Sequence, residues 1–279
     1  SLMDDAGEYQ KYSAAQRTQS VANNMKYVQN TYANSPVYQK LNGKPLYYVF
    51  PKPDGSTTTV TPAQWQAGKA ATGNAFDLSV ENASASYNGV SDVPYAWVQL
   101  GKTPSDDNQA YLNWYDKTYG KQVQSGQVPV AEGVVYDGFN DSGVGGWTGN
   151  PANTRQMNRT TPTGKDVLQD TWDGLNAYNA ANPNAPINWV QMTTWNDWNE
   201  GTEIEPSYER GYKPLETAAK NNYNFKGQTA PTDMADAENF ANRYLQLRHA
   251  GKTDADLAAG LRAFFQGNYA LAIQSLPAS

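Results

Sequence analysis

The sequence predicts an α/β fold, a (β/α)8 barrel of the TIM type lacking its first strands in this chain, with a small C-terminal helical appendage. Three observations predict it. Apolar runs of strand length recur as far as Thr194. Stretches with helical periodicity separate them, the pattern of βα units with right-handed crossovers. The unusual chemistry gathers just after the strands, where α/β barrels build their sites.

Ser1 to Asp5 reads as the tail of a strand, and Glu8 to Tyr32 as a helix with Tyr12, Ala15, Val21, Met25, Val28 and Tyr32 on its apolar side. Gly43-Lys44-Pro45 makes a turn into Leu46-Tyr47-Tyr48-Val49-Phe50, an unbroken apolar run stopped by Pro51 and Pro53. Such a run suits a strand buried on both faces. Phe76 to Val80 is a further strand candidate. Val93 to Val98 reads as strand, Asn108 to Lys121 as helix, Val128 to Tyr136 as strand, Gly164 to Ala181 as helix and Ile187 to Thr194 as strand. That gives five or six strands where a closed barrel needs eight, so either the sheet is open or the first two or three strands lie outside this sequence; the second account is favoured, with those strands expected from the same precursor. The barrel domain is placed at residues 1–227. Residues 228–279 begin with a linker, Gln228-Thr229-Ala230-Pro231, and continue as three short amphipathic helices, Asp233 to Leu247, Asp254 to Phe265 and Tyr269 to Leu276.

Composition narrows the chemistry. The 279 residues carry 21 basic and 27 acidic side chains, a net charge of −6, with 39% apolar residues. This is the composition of a soluble, folded, mildly acidic protein. The acid excess and the lack of any Lys/Arg run argue against nucleic acid as a partner, because phosphate binding needs a clustered basic field. No stretch approaches the roughly 18 apolar residues of a membrane span, so no membrane partner is expected. The opening residues have neither part of a signal peptide. With no cysteine and His249 as the single histidine, thiolate chemistry, a His-rich zinc site and a Ser-His-Asp triad are all disfavoured. Catalysis would rest on carboxylates, Tyr, Lys or Arg, with no cofactor and no metal. The 8 Trp and 19 Tyr, many beside Asn, Asp and Gly, suit sugars, whose C–H faces stack on rings while hydroxyls bond to polar rims. The same rings are also ordinary core material.

The densest cluster is Trp195-Asn196-Asp197-Trp198-Asn199-Glu200-Gly201-Thr202-Glu203-Ile204-Glu205-Pro206, with four carboxylates in nine residues. A helical turn after the strand would point Asp197 and Glu200 into one cleft. Apolar burial and mutual repulsion then split their pKa values, leaving one protonated and one ionised. Glycosidic bond cleavage needs that pair, an acid for the leaving oxygen and a base or nucleophile. The other reading of these acids is a calcium or capping loop.

The segment Trp195 to Pro206 resembles the last-strand signature of the family 99 and family 71 glycoside hydrolases and their polysaccharide-locus relatives, W-N-[ED]-[WYF]-x-E-[GS]. Tyr32-Ala33-Asn34-Ser35-Pro36-Val37-Tyr38, continuing to Gly43-Lys44-Pro45, is similar to the helix-to-strand passage of those enzymes. The resemblance spans about residues 1 to 225 and implies a barrel hydrolase acting on α-linked glucan or mannan, secreted or periplasmic. By position the catalytic pair of family 99, N-E-x-x-E, falls on Asp197 and Glu200. Family 99 has Glu at the first site; Asp here resembles the W-N-D pattern of family 71, whose members cut α-1,3-glucan.

Trp195, Trp198, Tyr95 and Trp97 are the candidate subsite rings, although alternation puts Tyr95 and Trp97 together on either the core or the cleft side. Asp4 and Asp5, at the end of the first strand, either hold sugar hydroxyls, act as the second carboxylate, or cap the next helix. Glu203 and Asp137 complete the candidate substrate-binding residues; Asp137, with Asn140 and Asp141 beside the glycine-rich run, suits a sugar or a Ca²⁺, and simple turn chemistry fits these residues at least as well. A glycan-binding protein without catalysis, or a surface-structural one, is the rival function on the same fold.

Overall fold

The computed structural model describes residues 2–51, 60–81, 85–98, 116–230 and 234–278. The chain falls into two compact units, Ser1–Glu203 and Ile204–Ser279.

The first unit is built on a parallel ladder that follows chain order. β1 (Met3–Asp5) pairs with β3 (Lys44–Phe50), β3 pairs with β4 (Asp77–Val80), and β5 (Glu132–Tyr136) pairs with β8 (Trp189–Thr193), all in parallel. Between these groups Tyr95 forms parallel bridges to Glu81 on one side and Glu132 on the other. The expected strand at Val93 to Val98 is thus reduced to an extended segment with one bridged residue, whereas the candidate at Phe76 to Val80 is a strand. β2 (Lys40–Leu41) adds a short antiparallel edge to β3. Among the described residues no pairing closes the ladder into a barrel.

β3 explains the ladder's burial. Tyr47 and Val49 face a core with Val21, Met25 and Val28 of α1 (Ala14–Thr31), Trp65 of α2 (Pro62–Ala71), and Leu78 and Val80 of β4. Leu46 and Tyr48 face the other way, onto Val93 and Tyr95. An apolar residue is therefore required at every position, which is why the run does not alternate. On that second face Glu132 is buried, accepting from the Tyr48 hydroxyl and, at 2.8 Å, from Gln191 Nε2. Burial pushes its carboxyl above the usual range, against both hydrogen bonds.

Both helices start on capping boxes, Ser13 with Gln16 and Thr61 with Gln64, the second with Pro62 as first residue. They approach closely at Gly68, where an added Cβ would lie 2.5 Å from Val21 Cγ1. Of the helix expected at Asn108 to Lys121, residues 108–115 lie outside the described residues. The chain resumes at a single π turn, Asp116–Gly120, which runs into α3 (Lys121–Gln124). α4 (Val167–Ala181) packs on β5 with Leu168, Trp172, Leu175 and Tyr178 buried, a 3.6-residue period.

The second unit holds α5 (Lys213–Phe225), α6 (Met234–His249), α7 (Asp254–Phe265) and α8 (Tyr269–Gln274). Phe240, Ala263 and Ala272 form the buried centre of the last three, and the Phe240 and Phe264 rings stack at 4.7 Å. No helix among the described residues is long and apolar enough to cross a membrane.

Candidate active site

β8 delivers the chain into the turn 194–203. Its neck is closed by Thr194 and Thr202: the Thr194 N–H donates to the Thr202 carbonyl at 2.9 Å, and the two hydroxyls lie 2.8 Å apart. Inside, Thr194 Oγ1 accepts the Asp197 N–H at 3.0 Å, and Asp197 Oδ1 accepts the Glu200 N–H at 3.0 Å. Short carboxylates favour this local turn chemistry. One oxygen of Asp197 therefore shapes the turn that presents Glu200, and no described residue hydrogen-bonds the other.

An antiparallel hairpin, β6 (Phe139–Asn140) with β7 (Gln156–Met157), docks on this turn. Asn140 donates its N–H to the Glu200 carbonyl at 2.6 Å. Gly201, at φ +58°, allows the approach, since an added Cβ would sit 3.2 Å from Asn140. Asp141, wholly buried, pins the hairpin ends by accepting from the Arg155 N–H at 2.6 Å, Nε at 2.8 Å and Nη2 at 2.6 Å. The glycine-rich run between them turns through Gly145, Gly146 and Trp147 at φ of 54°, 61° and 61°. Only glycine fits at Gly146, where an added Cβ would fall 2.2 Å from the Asn153 carbonyl oxygen. The run ends by placing the Trp147 indole N–H 2.9 Å from Glu200 Oε1.

Glu200 is half-buried, and its carboxyl pKa is raised above the usual value. Loss of solvation is the largest cause. The charges of Asp197 and Asp141 add to it, while the Trp147 hydrogen bond and the Arg155 charge oppose it.

Arg159 holds the base of the loop. Its Nη2 donates to the Gly201 carbonyl at 2.9 Å and to Glu203 Oε1, and its Nη1 lies 3.4 Å from the Glu203 carbonyl and 3.4 Å from Asp137 Oδ2. Asp137 and Glu203, both expected to bind sugar, are thus buried around a guanidinium. Asp4 accepts from the hydroxyls of Tyr9 and Tyr47, each at 2.6 Å, and burial raises its pKa. With Tyr9, Tyr12 and Asn24 it lines a cavity of about 350 Å³ that includes neither Asp197 nor Glu200. Asp5 Oδ1 caps the following turn through the Gly7 N–H at 2.7 Å. Tyr95 is wholly buried, its hydroxyl on the Val49 carbonyl at 3.0 Å, and Trp97 packs edge-on against it with centroids 6.1 Å apart. Trp195 and Trp198 are each 51% exposed and Trp147 is 55% exposed.

The structure therefore brings together Asp197, Glu200, Trp195 and Trp198, and adds Trp147, which closes the glycine-rich run visible in the sequence but had no role assigned, with Arg155 and Arg159, which the sequence reading did not single out. The signal of the two arginines was faint: isolated residues four apart after a glycine run, in an acidic chain. Among the described residues no group of three or more His, Cys, Asp or Glu is arranged to hold a metal ion.

No protein-family model matches the chain, and no curated protein matches it. Solved structures do. Two of a GH99 endo-alpha-mannosidase from Bacteroides thetaiotaomicron align at TM-score 0.51, with 19% and 20% identity, over 75% of this chain and 66% and 63% of theirs. A glycoside hydrolase-like protein aligns at TM-score 0.50 and 14% identity, over 75% of this chain and 61% of its own. The chain spans under two thirds of the length of the structures it matches. At such identity the likeness is one of architecture: three quarters of this chain has a mixed α/β fold similar to that of the GH99 endo-alpha-mannosidase.

Proposed function

We propose that this protein is a glycoside hydrolase that cleaves an α-linked glucan or mannan through two carboxylates, and that its parallel ladder belongs to a (β/α)8 barrel. The observation that carries the reading is Glu200: a half-buried carboxyl with a raised pKa, beside Asp197, on a turn flanked by exposed tryptophans. The likeness to the GH99 endo-alpha-mannosidase supports it.

A raised pKa keeps more of Glu200 protonated near neutrality, as a general acid toward the glycosidic oxygen requires. Asp197 acts through its second oxygen as base toward water or a substrate hydroxyl. Its first oxygen is engaged by the Glu200 N–H, which ties the Asp197 carboxyl to the Glu200 main chain. Trp195 and Trp198 present half-exposed faces for sugar stacking. Asp4, Asp5, Tyr95, Asp137 and Glu203 have structural partners and are assigned no contact with sugar. A polymeric substrate fits a secreted or periplasmic setting.

The test is a panel of α-glucans and α-mannans with wild type, Glu200→Gln and Asp197→Asn, scored for reducing ends and for binding. Hydrolysis should fall at least about 100-fold in each variant while binding changes little. Wild type that binds a member of the panel but cleaves none, with both variants binding equally, would make this a glycan-binding protein instead.

A further inference from the structure

We propose that Trp147 is the positioning residue of the acid: its indole N–H holds Glu200 Oε1 as an acceptor, so that the transferable proton resides on Oε2. The inference rests on the reading of Glu200 as general acid.

Geometry carries it. An indole nitrogen donates and cannot accept, so the oxygen it reaches at 2.9 Å cannot itself present a proton along that line. The Glu200 backbone is held as well, its N–H by Asp197 and its carbonyl by the Asn140 N–H. Both the main chain and Oε1 are thereby fixed, and Oε2 alone is left to give up its hydrogen.

The local build is shaped to this contact. Trp147 has φ +61°, a conformation that bulky side chains rarely adopt. It follows two glycines in the same left-handed region, in a hairpin clamped by the buried Asp141 and Arg155. Strain of this kind persists where the surroundings over-determine it, and it clusters at functional sites. The Trp147 side chain is at the same time 55% exposed. It meets Glu200 through its nitrogen and offers open surface to a sugar.

In the step itself the Oε2–H bond breaks, the proton joins the glycosidic oxygen, and that oxygen keeps the electron pair of its cleaved bond to carbon, while the anomeric carbon gains a new bond from the water or substrate hydroxyl whose proton passes to Asp197. Glu200 is left as a carboxylate that still accepts from Trp147. The other charged groups acting on Glu200 are Asp197 on its own turn and Asp141 and Arg155 on the hairpin, with Arg159 reaching the Gly201 carbonyl next door.

A proton–nitrogen correlation spectrum of the ¹⁵N-labelled full chain tests the contact without any substrate. The indole signal that disappears in Trp147→Phe should move with pH in a single sigmoid in wild type and stay flat in Glu200→Gln. An indole that does not titrate, or that titrates equally in Glu200→Gln, overturns the proposal. The second arm is the pH profile of kcat/KM on whichever α-glycan of the panel is cleaved. The indole stabilises the carboxylate form, so Trp147→Phe should move the alkaline limb upward and lower kcat about tenfold, with KM nearly unchanged. Trp147→Ala should raise KM in addition. An unmoved alkaline limb in Trp147→Phe also overturns the proposal. A titrating indole in a protein that cleaves nothing would sink the hydrolase reading and leave the Trp147–Glu200 contact standing.

Discussion

Arg155 reaches Asp141 from its backbone N–H, its Nε and its Nη2, with the acid wholly buried and the arginine half in solvent. This pair ties the two ends of the hairpin that docks on the Glu200 turn. A hydrogen bond to a charged group stabilises by roughly 1.5–3 kcal/mol, and the exposure of Arg155 reduces what the ion pair adds. Asp141→Asn should therefore lower stability by about 2 kcal/mol, read as a reduced urea midpoint at unchanged m-value. Arg155→Lys keeps the charge but loses the fork and should fall between wild type and Asp141→Asn. Wild-type midpoints in both variants would mean that the hairpin is held by other contacts.

The contribution of Glu81 to stability should fall as pH rises from acid to neutral. Burial at the end of β4 raises the Glu81 carboxyl from 4.5 to about 7. Between those values the folded chain holds a proton that the unfolded chain has released. The stabilisation is complete below pH 4.5 and is lost as pH rises through 7. Glu132 and Asp4 are raised too, so their contributions have the same sign. Glu81→Gln should match wild type near pH 4 and exceed it at pH 8.5 by roughly 3 kcal/mol, at about 1.36 kcal/mol per unit. Parallel pH–stability curves for the two proteins would remove Glu81 as the source.

Strand burial was the most legible feature of the sequence. Leu46 to Val49 are apolar at every position because helices cover one face and ladder side chains the other, and Val134 to Tyr136 are wholly buried. The helix at Pro62–Ala71 does not show in the apolar pattern, although Thr61-Pro62-Ala63-Gln64 is a capping box with proline at the first position. Gly68 and Lys69 interrupt its apolar periodicity, and both are buried. Within the site, the spacing of Asp197 and Glu200 was visible, and so was the alternative capping role, which one oxygen of Asp197 performs. The partners of Asp137, Asp141 and Glu203 were not. A buried carboxylate needs a counter-charge, but sequence does not say which of the 21 basic residues supplies it.

Gly68→Ala tests the close approach of α1 and α2. Alanine gains about 1 kcal/mol over glycine in helix propensity, while overpacking against Val21 and Met25 costs about 1–3 kcal/mol. With an added Cβ 2.5 Å from Val21 Cγ1, the clash should win. The expected outcome is a lower Tm, and Gly68→Ala combined with Val21→Ala should lose less than the two single changes summed. A higher Tm in Gly68→Ala would show that the two helices part at no cost.

Glu200 and the tryptophan that touches it stand 53 positions apart, on separate excursions from the sheet. Transplanting the tryptophan-rich 195–206 peptide into another scaffold would carry the acid and leave its governor behind. Conversely, trimming the upstream hairpin would leave the 195–206 segment intact and strip Glu200 of the indole that touches it.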